Sequence, residues 1–233
     1  MASRRILITG TSRGLGLALA EHYLAQGDLV VGCARGPAPL AHERYTHVTA
    51  DVADEAAVSE VFRLVRGSVK GLDVLINNAG VAVMNLVALT PVDAARRTLE
   101  TNVLGTFLFT RQAIRLLKRS PCGRIVNMTT VAVPLRLEGE AMYAAAKSAV
   151  EIFTRVTARE VAPFGITCNA VGPSPVKTRL TESVPERQMK ALLGRQAVPR
   201  WAEPADVANV VDFFLRPESG MVTGQVVYLG GLG

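Results

Sequence analysis

Short apolar runs alternate along the chain with longer stretches in which apolar positions recur every three or four residues. The runs Arg5–Thr9, Leu29–Ala34, His47–Ala50, Val74–Asn77, Arg124–Met128, Ile166–Val171 and Val226–Leu229 are too short for helices. Most are uninterrupted, as strands covered on both faces are. Helices are predicted between them at Leu15–Gln26, Glu55–Val69, Val92–Arg119, Glu140–Ala162 and Pro204–Leu215. Their ends carry physical signals: Gly27 past the first, Asp54 as a cap before the second, Pro91 at the first helical position of the third, and Pro163 after the fourth. The alternation predicts the α/β class, one domain over 1–233 with a seven-stranded parallel sheet between helical layers. Two places break the rhythm. Gly36 to Thr46 has no clear helix. Pro173–Arg200, with four prolines and mixed charge, reads as an insertion with a short helix, a lid or substrate-binding loop over 173–200.

The turn after the first predicted strand is Thr9-Gly10-Thr-Ser-Arg-Gly14-Leu-Gly16, and it opens the first helix. Backbone N–H groups at a helix N-terminus make an anion site, and glycine lets a pyrophosphate approach closely. The same glycines also suit a plain strand-to-helix turn that needs positive φ. An NAD site of this kind holds the ribose hydroxyls with a carboxylate about 20 residues past the glycines. Here the second strand ends in Arg35, and Arg13 lies inside the turn. Two guanidinium groups suit a 2′-phosphate, so the residues favour NADP(H) over NAD(H), the other reading being two arginines in solvent.

Tyr143-Ala-Ala-Ala-Lys147 falls within a predicted helix, and positions four apart share a face. A free tyrosine, with a pKa near ~10, is a weak proton donor at neutral pH, and a nearby ammonium lowers that value. The pair is therefore a unit for acid/base chemistry, although a tyrosine and a lysine at this spacing also arise by accident. Thr129 and Thr130 end the fifth strand, Asn77-Asn78-Ala79-Gly80 the fourth, and Asn102 interrupts the long third helix. Each also has an ordinary structural reading, as a local turn or a buried side chain.

Composition narrows the classes. Apolar residues make up 49% of the 233, enough for a sizeable core, and no apolar run approaches the ~18 needed to span a bilayer. The apolar stretch near Met1 stops at Thr9-Gly10, too early for a signal peptide, and reads as a strand. The net charge of +6 is spread over pairs such as Arg4-Arg5, Arg96-Arg97 and Lys118-Arg119, with no basic stripe interleaved with aromatics, so no nucleic acid partner is expected. Cys33, Cys122 and Cys168 are far apart and odd in number, which points to reduced thiols in the cytoplasm. His22, His42 and His47 lack metal-ligand spacing, so no metal is expected.

Taken in order, Thr9-Gly10-x-x-x-Gly14-x-Gly16, Asp51-Val52, Asn77–Gly80, Asn102, Tyr143-x-x-x-Lys147, Pro173 and Thr223-Gly224-Gln225 resemble the short-chain dehydrogenase/reductase family over nearly the whole chain. The Ser12-Arg13 step is similar to the 3-oxoacyl-[acyl-carrier-protein] reductase branch. The resemblance implies a Rossmann-type three-layer sandwich and an NADP(H)-dependent oxidoreductase that reduces a carbonyl or oxidises an alcohol. It implies that Tyr143 is the acid/base and that Lys147 tunes it and binds the nicotinamide ribose. Asn102 would hold a proton-relay water. The family's serine lies thirteen residues before the tyrosine, which is Thr130 here, and its hydroxyl would orient the carbonyl. Gly10, Ser12, Arg13, Leu15, Gly16, Arg35, Asp51, Val52, Asn78, Ala79, Gly80, Pro173, Val176 and Thr178 would line the cofactor. A small-molecule or carrier-bound carbonyl substrate, possibly a 3-oxoacyl thioester, and a homodimer or homotetramer formed through the helices at Val92–Arg119 and Glu140–Ala162 complete the expectation. Three departures stand out: Thr130 for Ser, Ser174 where Gly follows the proline, and no Asp before Gly230-Gly231. They leave room for a second class, a catalytically weak NADP-binding regulator on the same fold.

Overall fold

A computed structural model describes residues 3–178, 181–182 and 184–231. Seven parallel strands form one sheet in the order β3-β2-β1-β4-β5-β6-β7. They are β1 (Arg5–Thr9), β2 (Leu29–Ala34), β3 (Tyr45–Thr49), β4 (Val74–Asn77), β5 (Arg124–Met128), β6 (Thr167–Gly172) and β7 (Val226–Tyr228). The helices are α1 (Gly14–Ala25), α2 (Glu55–Ser68), α3 (Val92–Leu99), α4 (Gly105–Leu117), α5 (Ala132–Leu135), α6 (Ala141–Val161), α7 (Glu186–Leu193) and α8 (Pro204–Leu215).

Alternate residues of each strand enter opposite cores, which is why the strands read as unbroken apolar runs. Leu7, Val31, Leu75 and Ile125 meet Phe62 of α2, Phe109 of α4 and Val161 of α6. Ile6, Ile8, Val30 and Ile76 meet Tyr23 of α1 and Phe214 of α8 on the other face. The chain leaves β1 toward β2 on one side and returns to β4 on the other, so a crevice opens at the carboxyl ends of β1 and β4.

The third predicted helix differs most from expectation. Residues 92–117 are helical throughout, but Glu100–Leu104 between α3 and α4 is a π turn centred on Asn102. Asn102 is fully buried, and its amide leaves the helix to bond the backbone of Val81 at both ends, Oδ1 accepting from N–H at 2.9 Å and Nδ2 donating to the carbonyl at 2.8 Å. The Thr106 hydroxyl donates to the Asn102 carbonyl at 2.8 Å. These side-chain bonds offset what the widened turn gives up in regular helix bonding. Pro91 is the residue before this helix and not its first turn.

Smaller shifts have local causes. β3 starts two residues before the predicted His47 because Tyr45 and Thr46 pair with Val30 and Val31 at the sheet edge, where polar residues hide the strand signal. β6 lies one residue later than predicted, at Thr167–Gly172, and β7 ends one residue earlier, at Tyr228. Asp54 caps α2 as expected, accepting from the N–H groups of Ala56 and Ala57. The segment 36–44 has no helix, and the insertion after Pro173 carries α7.

Candidate active site

The turn after β1 is held by its neighbours as much as by its glycines. Gly10 and Gly14 sit at φ +79° and +58°, where a side chain is strained. Gly16 serves close approach: a Cβ there would stand 2.3 Å from the Gly10 carbonyl oxygen and 2.4 Å from Asn78 Nδ2. The buried Thr9 hydroxyl accepts the N–H groups of Asn78 and Ala79 at 3.0 and 2.9 Å, and Asn78 Nδ2 donates back to the Thr9 carbonyl at 2.8 Å. The ends of β1 and β4 are thereby locked together. Arg13, the residue before α1, makes no side-chain cap, and no acid lies in the first turn of this helix. Its first N–H groups are therefore without a side-chain acceptor and suit an anion.

A cleft of about 970 Å³ runs from this turn across the strand ends. It is lined by Gly10, Ser12, Arg13, Leu15, Gly16 and Arg35, by Asp51 and Val52, by Asn78–Gly80, by Thr130, Tyr143 and Lys147, and by Pro173, Val176 and Thr178. Asn102 alone of the predicted residues lies behind the wall, although its Oδ1 and the Lys147 Nζ both come within 3.4 Å of where a Gly80 Cβ would be. Arg13 and Arg35 are exposed, and neither has an acidic partner among the described residues. The uncapped helix end and the volume of the cleft fit a dinucleotide.

At the other end stands Tyr143. Its phenol is pushed up to about 12, first by burial, with the Thr130 hydroxyl bond pulling it down and the Glu140 carboxyl pushing it up. The direction is opposite to what the Tyr–Lys spacing predicts. Lys147 is itself buried, which lowers its pKa to about 8, and its Nζ donates to the Met128 carbonyl at 2.8 Å. Burial thus sets the direction of the shift at both groups. Thr130 also accepts the Ala132 N–H at 3.2 Å, which fixes its rotamer at the head of α5.

The departures at Ser174 and at the C-terminal glycines have one structural partner. Ser174 is not at positive φ; its Oγ donates to Gln196 Oε1 at 2.5 Å, and both residues are buried. A Cβ at Gly230, φ +91°, would stand 2.1 Å from that same Gln196 oxygen. Backbone bonds from Ala197 to Gly231 and from Val198 to Gly230, both 3.0 Å, complete the clasp. Serine here exchanges backbone freedom for a tie between the loop after β6 and the end of the insertion.

The far end is closed by Glu140, Leu137, Val184, Met189 and Leu192, which sequence reasoning did not single out, although the last three lie in the expected substrate-binding loop over 173–200. The apolar pair Met189 and Leu192, three apart on α7, was the available signal. Sequence reasoning also missed buried Glu151, one turn past Lys147, whose Oε1 accepts the hydroxyls of Thr129 and Tyr228, each at 2.6 Å. Among the described residues, no group of three or more His, Cys, Asp or Glu could hold a metal, and no helix is long and apolar enough to cross a membrane.

A family model described as enoyl-(acyl carrier protein) reductase matches residues 10–231. The chain is a short-chain dehydrogenase/reductase. As a member of this oxidoreductase family it is similar to the 3-oxoacyl-[acyl-carrier-protein] reductase FabG of Vibrio cholerae, 30% identical over 97% of this chain and 95% of that protein. The 3-oxoacyl-[acyl-carrier-protein] reductase MabA of Mycobacterium bovis is 31% identical over 99% of this chain and 93% of that one. Among solved structures, the aldohexose dehydrogenase of Thermoplasma acidophilum superposes with a TM-score of 0.90 at 27% identity, over 99% of this chain and 94% of that one.

Proposed function

We propose that this short-chain dehydrogenase/reductase is an NADP(H)-dependent carbonyl reductase, working also in the alcohol-oxidising direction. The observation that carries the proposal is one cleft with an uncapped, arginine-flanked helix end at one side and Thr130, Tyr143 and Lys147 together at the other. The cofactor, when bound, supplies or accepts the hydride. Gly10, Ser12, Leu15, Gly16, Asn78, Ala79 and Gly80 shape its bed, Arg13 and Arg35 grip a 2′-phosphate, Asp51 and Val52 hold the adenine, and Pro173, Val176 and Thr178 cover the carboxamide end.

The proton chemistry belongs to the chain. The buried phenol of Tyr143 is protonated at neutral pH and is poised to donate to the carbonyl oxygen. The Thr130 hydroxyl, which lines the same end of the cleft, orients the same oxygen. Lys147, its pKa lowered to about 8 by burial, holds the ribose, and the Asn102 turn behind it seats a relay water. The insertion 173–200 closes over the substrate within the one domain. A homo-oligomer is supported by exposed Leu104 and Phe107 before and within α4 and by Ile152 and Val156 on α6, apolar side chains 40–58% exposed.

The test follows NADPH oxidation by absorbance across small ketones, aromatic ketones and 3-oxoacyl thioesters on coenzyme A or a carrier protein. Turnover of at least one class is expected, with a loss on the order of 10³-fold in Tyr143→Phe at nearly unchanged NADPH affinity. Tight NADPH binding with no turnover on any class would instead establish a regulator on the same fold.

A further inference from the structure

Glu140 stands where α6 begins, at φ −115° and ψ 20°, immediately before Ala141. Glutamate is a poor choice for this position, and its side chain makes no cap. Among the described residues its carboxyl has no hydrogen bond or ion pair at all. Only its backbone is engaged, the N–H with Leu137 and the carbonyl with Ala144. The side chain is nevertheless half-buried and lines the cleft. Removal from water disfavours its charge and raises its pKa from the ordinary value.

A partly desolvated carboxylate without a partner is costly to a fold. A carboxylate kept only to complement the dipole of α6 would sit in solvent or accept the free N–H groups, and Glu140 does neither. The chain is bent to put it there. Arg136 ends α5 in the left-handed region at φ 50°, and Gly139 follows at φ +80°. Glu140 and Tyr143, three apart, share one face of the first turn of α6, and the carboxylate acts on the phenol electrostatically.

The surroundings give the carboxylate its meaning. The walls at this end are apolar: Val131, Leu137, Val184, Met189 and Leu192. Among the described residues, the other charged groups of the cleft are Arg13, Arg35, Asp51, Lys147 and Lys177. Arg13, Arg35 and Asp51 belong to the cofactor end; Lys147 is spent on Met128, and the exposed Lys177 turns its Nζ toward the Trp201 ring, 5.8 Å from its centre. A carbonyl held by Tyr143 therefore brings its own substituents up to a negative charge that has no partner among the described residues, between mainly apolar walls.

We propose that Glu140 is a specificity-determining residue: its carboxylate binds a protonated amine carried near the carbonyl of an otherwise apolar ketone, and it turns away ketones with a carboxylate at the same place. The assignment rests on the carbonyl reductase reading above and names a substrate class for it. A hydroxyl donor ranks between the two, because it can donate one bond without carrying charge.

The test uses three ketones of one cyclic skeleton bearing an ammonium, a methyl or a carboxylate group beside the carbonyl. With kcat/KM for each normalised to the methyl compound, the ammonium-to-carboxylate ratio is expected to fall by about tenfold or more in Glu140→Gln. The change should lie mainly in KM. Glu140→Ser, which supplies a better cap for α6 and keeps the helix stable, should lose the same preference. A ratio unchanged in both variants, or a wild-type preference for the carboxylate, overturns the proposal. The same three ligands titrated calorimetrically onto the protein read the preference without chemistry. A binding preference for the ammonium ligand that Glu140→Gln abolishes would sustain Glu140 as the amine-binding group even if none of the three is turned over, and the reductase reading would then stand or fall on the NADPH assay above. Equal affinity for all three in wild type would refute the Glu140 assignment whatever the turnover.

Discussion

The two halves of the cleft are built in different ways. The cofactor half is made from strand ends and one helix start, all within a few residues of the sheet. Its strand ends are tied by hydrogen bonds, Thr9 alone taking two N–H groups from the end of β4, and the free N–H groups are those at the start of α1. The substrate half is made from the stretch around α5 and the insertion after β6, segments that meet only through the fold. Apart from Glu140 its lining is mainly apolar, and its long-range ties, among them Ser174 to Gln196, Arg195 Nη2 to the Leu135 carbonyl at 3.1 Å and the backbone bonds of Ala197 and Val198, involve residues that, Ser174 apart, are not part of that lining. A rigid, hydrogen-bonded half suits a ligand that does not change; a half made of apolar loop side chains lets the same frame accept different molecules.

The contrast can be broken at its strongest point. Thr9→Val keeps shape and burial but leaves the Asn78 and Ala79 N–H groups without their acceptor. A loss of about 2–4 kcal/mol in unfolding free energy is expected, together with weaker NADPH binding. A denaturant titration that shows no change in midpoint would mean that the cofactor half is not held as described.

A smaller effect separates the two nicotinamide cofactors. Arg35→Ala should weaken NADPH binding by roughly tenfold to 150-fold and leave NADH nearly untouched, because a charge-assisted bond to phosphate contributes about 1.5–3 kcal/mol. Equal losses on both cofactors in fluorescence titration would remove Arg35 from the 2′-phosphate site.

The smallest effect lies where the halves meet. Burial lowers the Lys147 pKa from 10.5 to about 8, so folding disfavours its charged form. Below about pH 8 both folded and unfolded chains carry the proton and the whole cost is present; between about 8 and 10.5 the unfolded chain binds more protons, and stability rises with pH. Lys147→Met should therefore be more stable than wild type at pH 7, by about 1 kcal/mol after the Met128 carbonyl loses its donor, and the advantage should vanish near pH 10. Turnover should be lost. A variant less stable at pH 7, or an advantage that grows with pH, would show that the ammonium is not penalised by its surroundings.

Much of the frame was legible in the residue order. Four of seven strands, β1, β2, β4 and β5, and helix α8 fall on their predicted bounds, because apolar runs and proline stops are local signals. β3 was misread at its start because an edge strand alternates polar residues, and the long third helix hid its π turn because the cause, the Val81 backbone, lies 21 residues away. Every predicted site residue except Asn102 reached the cleft wall. Glu140 went unnoticed since nothing next to it in sequence reveals that a carboxylate at a helix start will be left without a partner.

By itself, the sequence determined the strand–helix order, the glycine turn and the spacing of Tyr143 and Lys147, since each depends on neighbours within about one helical turn or one strand. Only the tertiary structure decided the sign of the phenol's shift, the explanation of Ser174 by Gln196, and the isolation of Glu140. Those outcomes turn on burial and on which distant groups face one another, and both arise only when segments far apart in the chain enclose the same space.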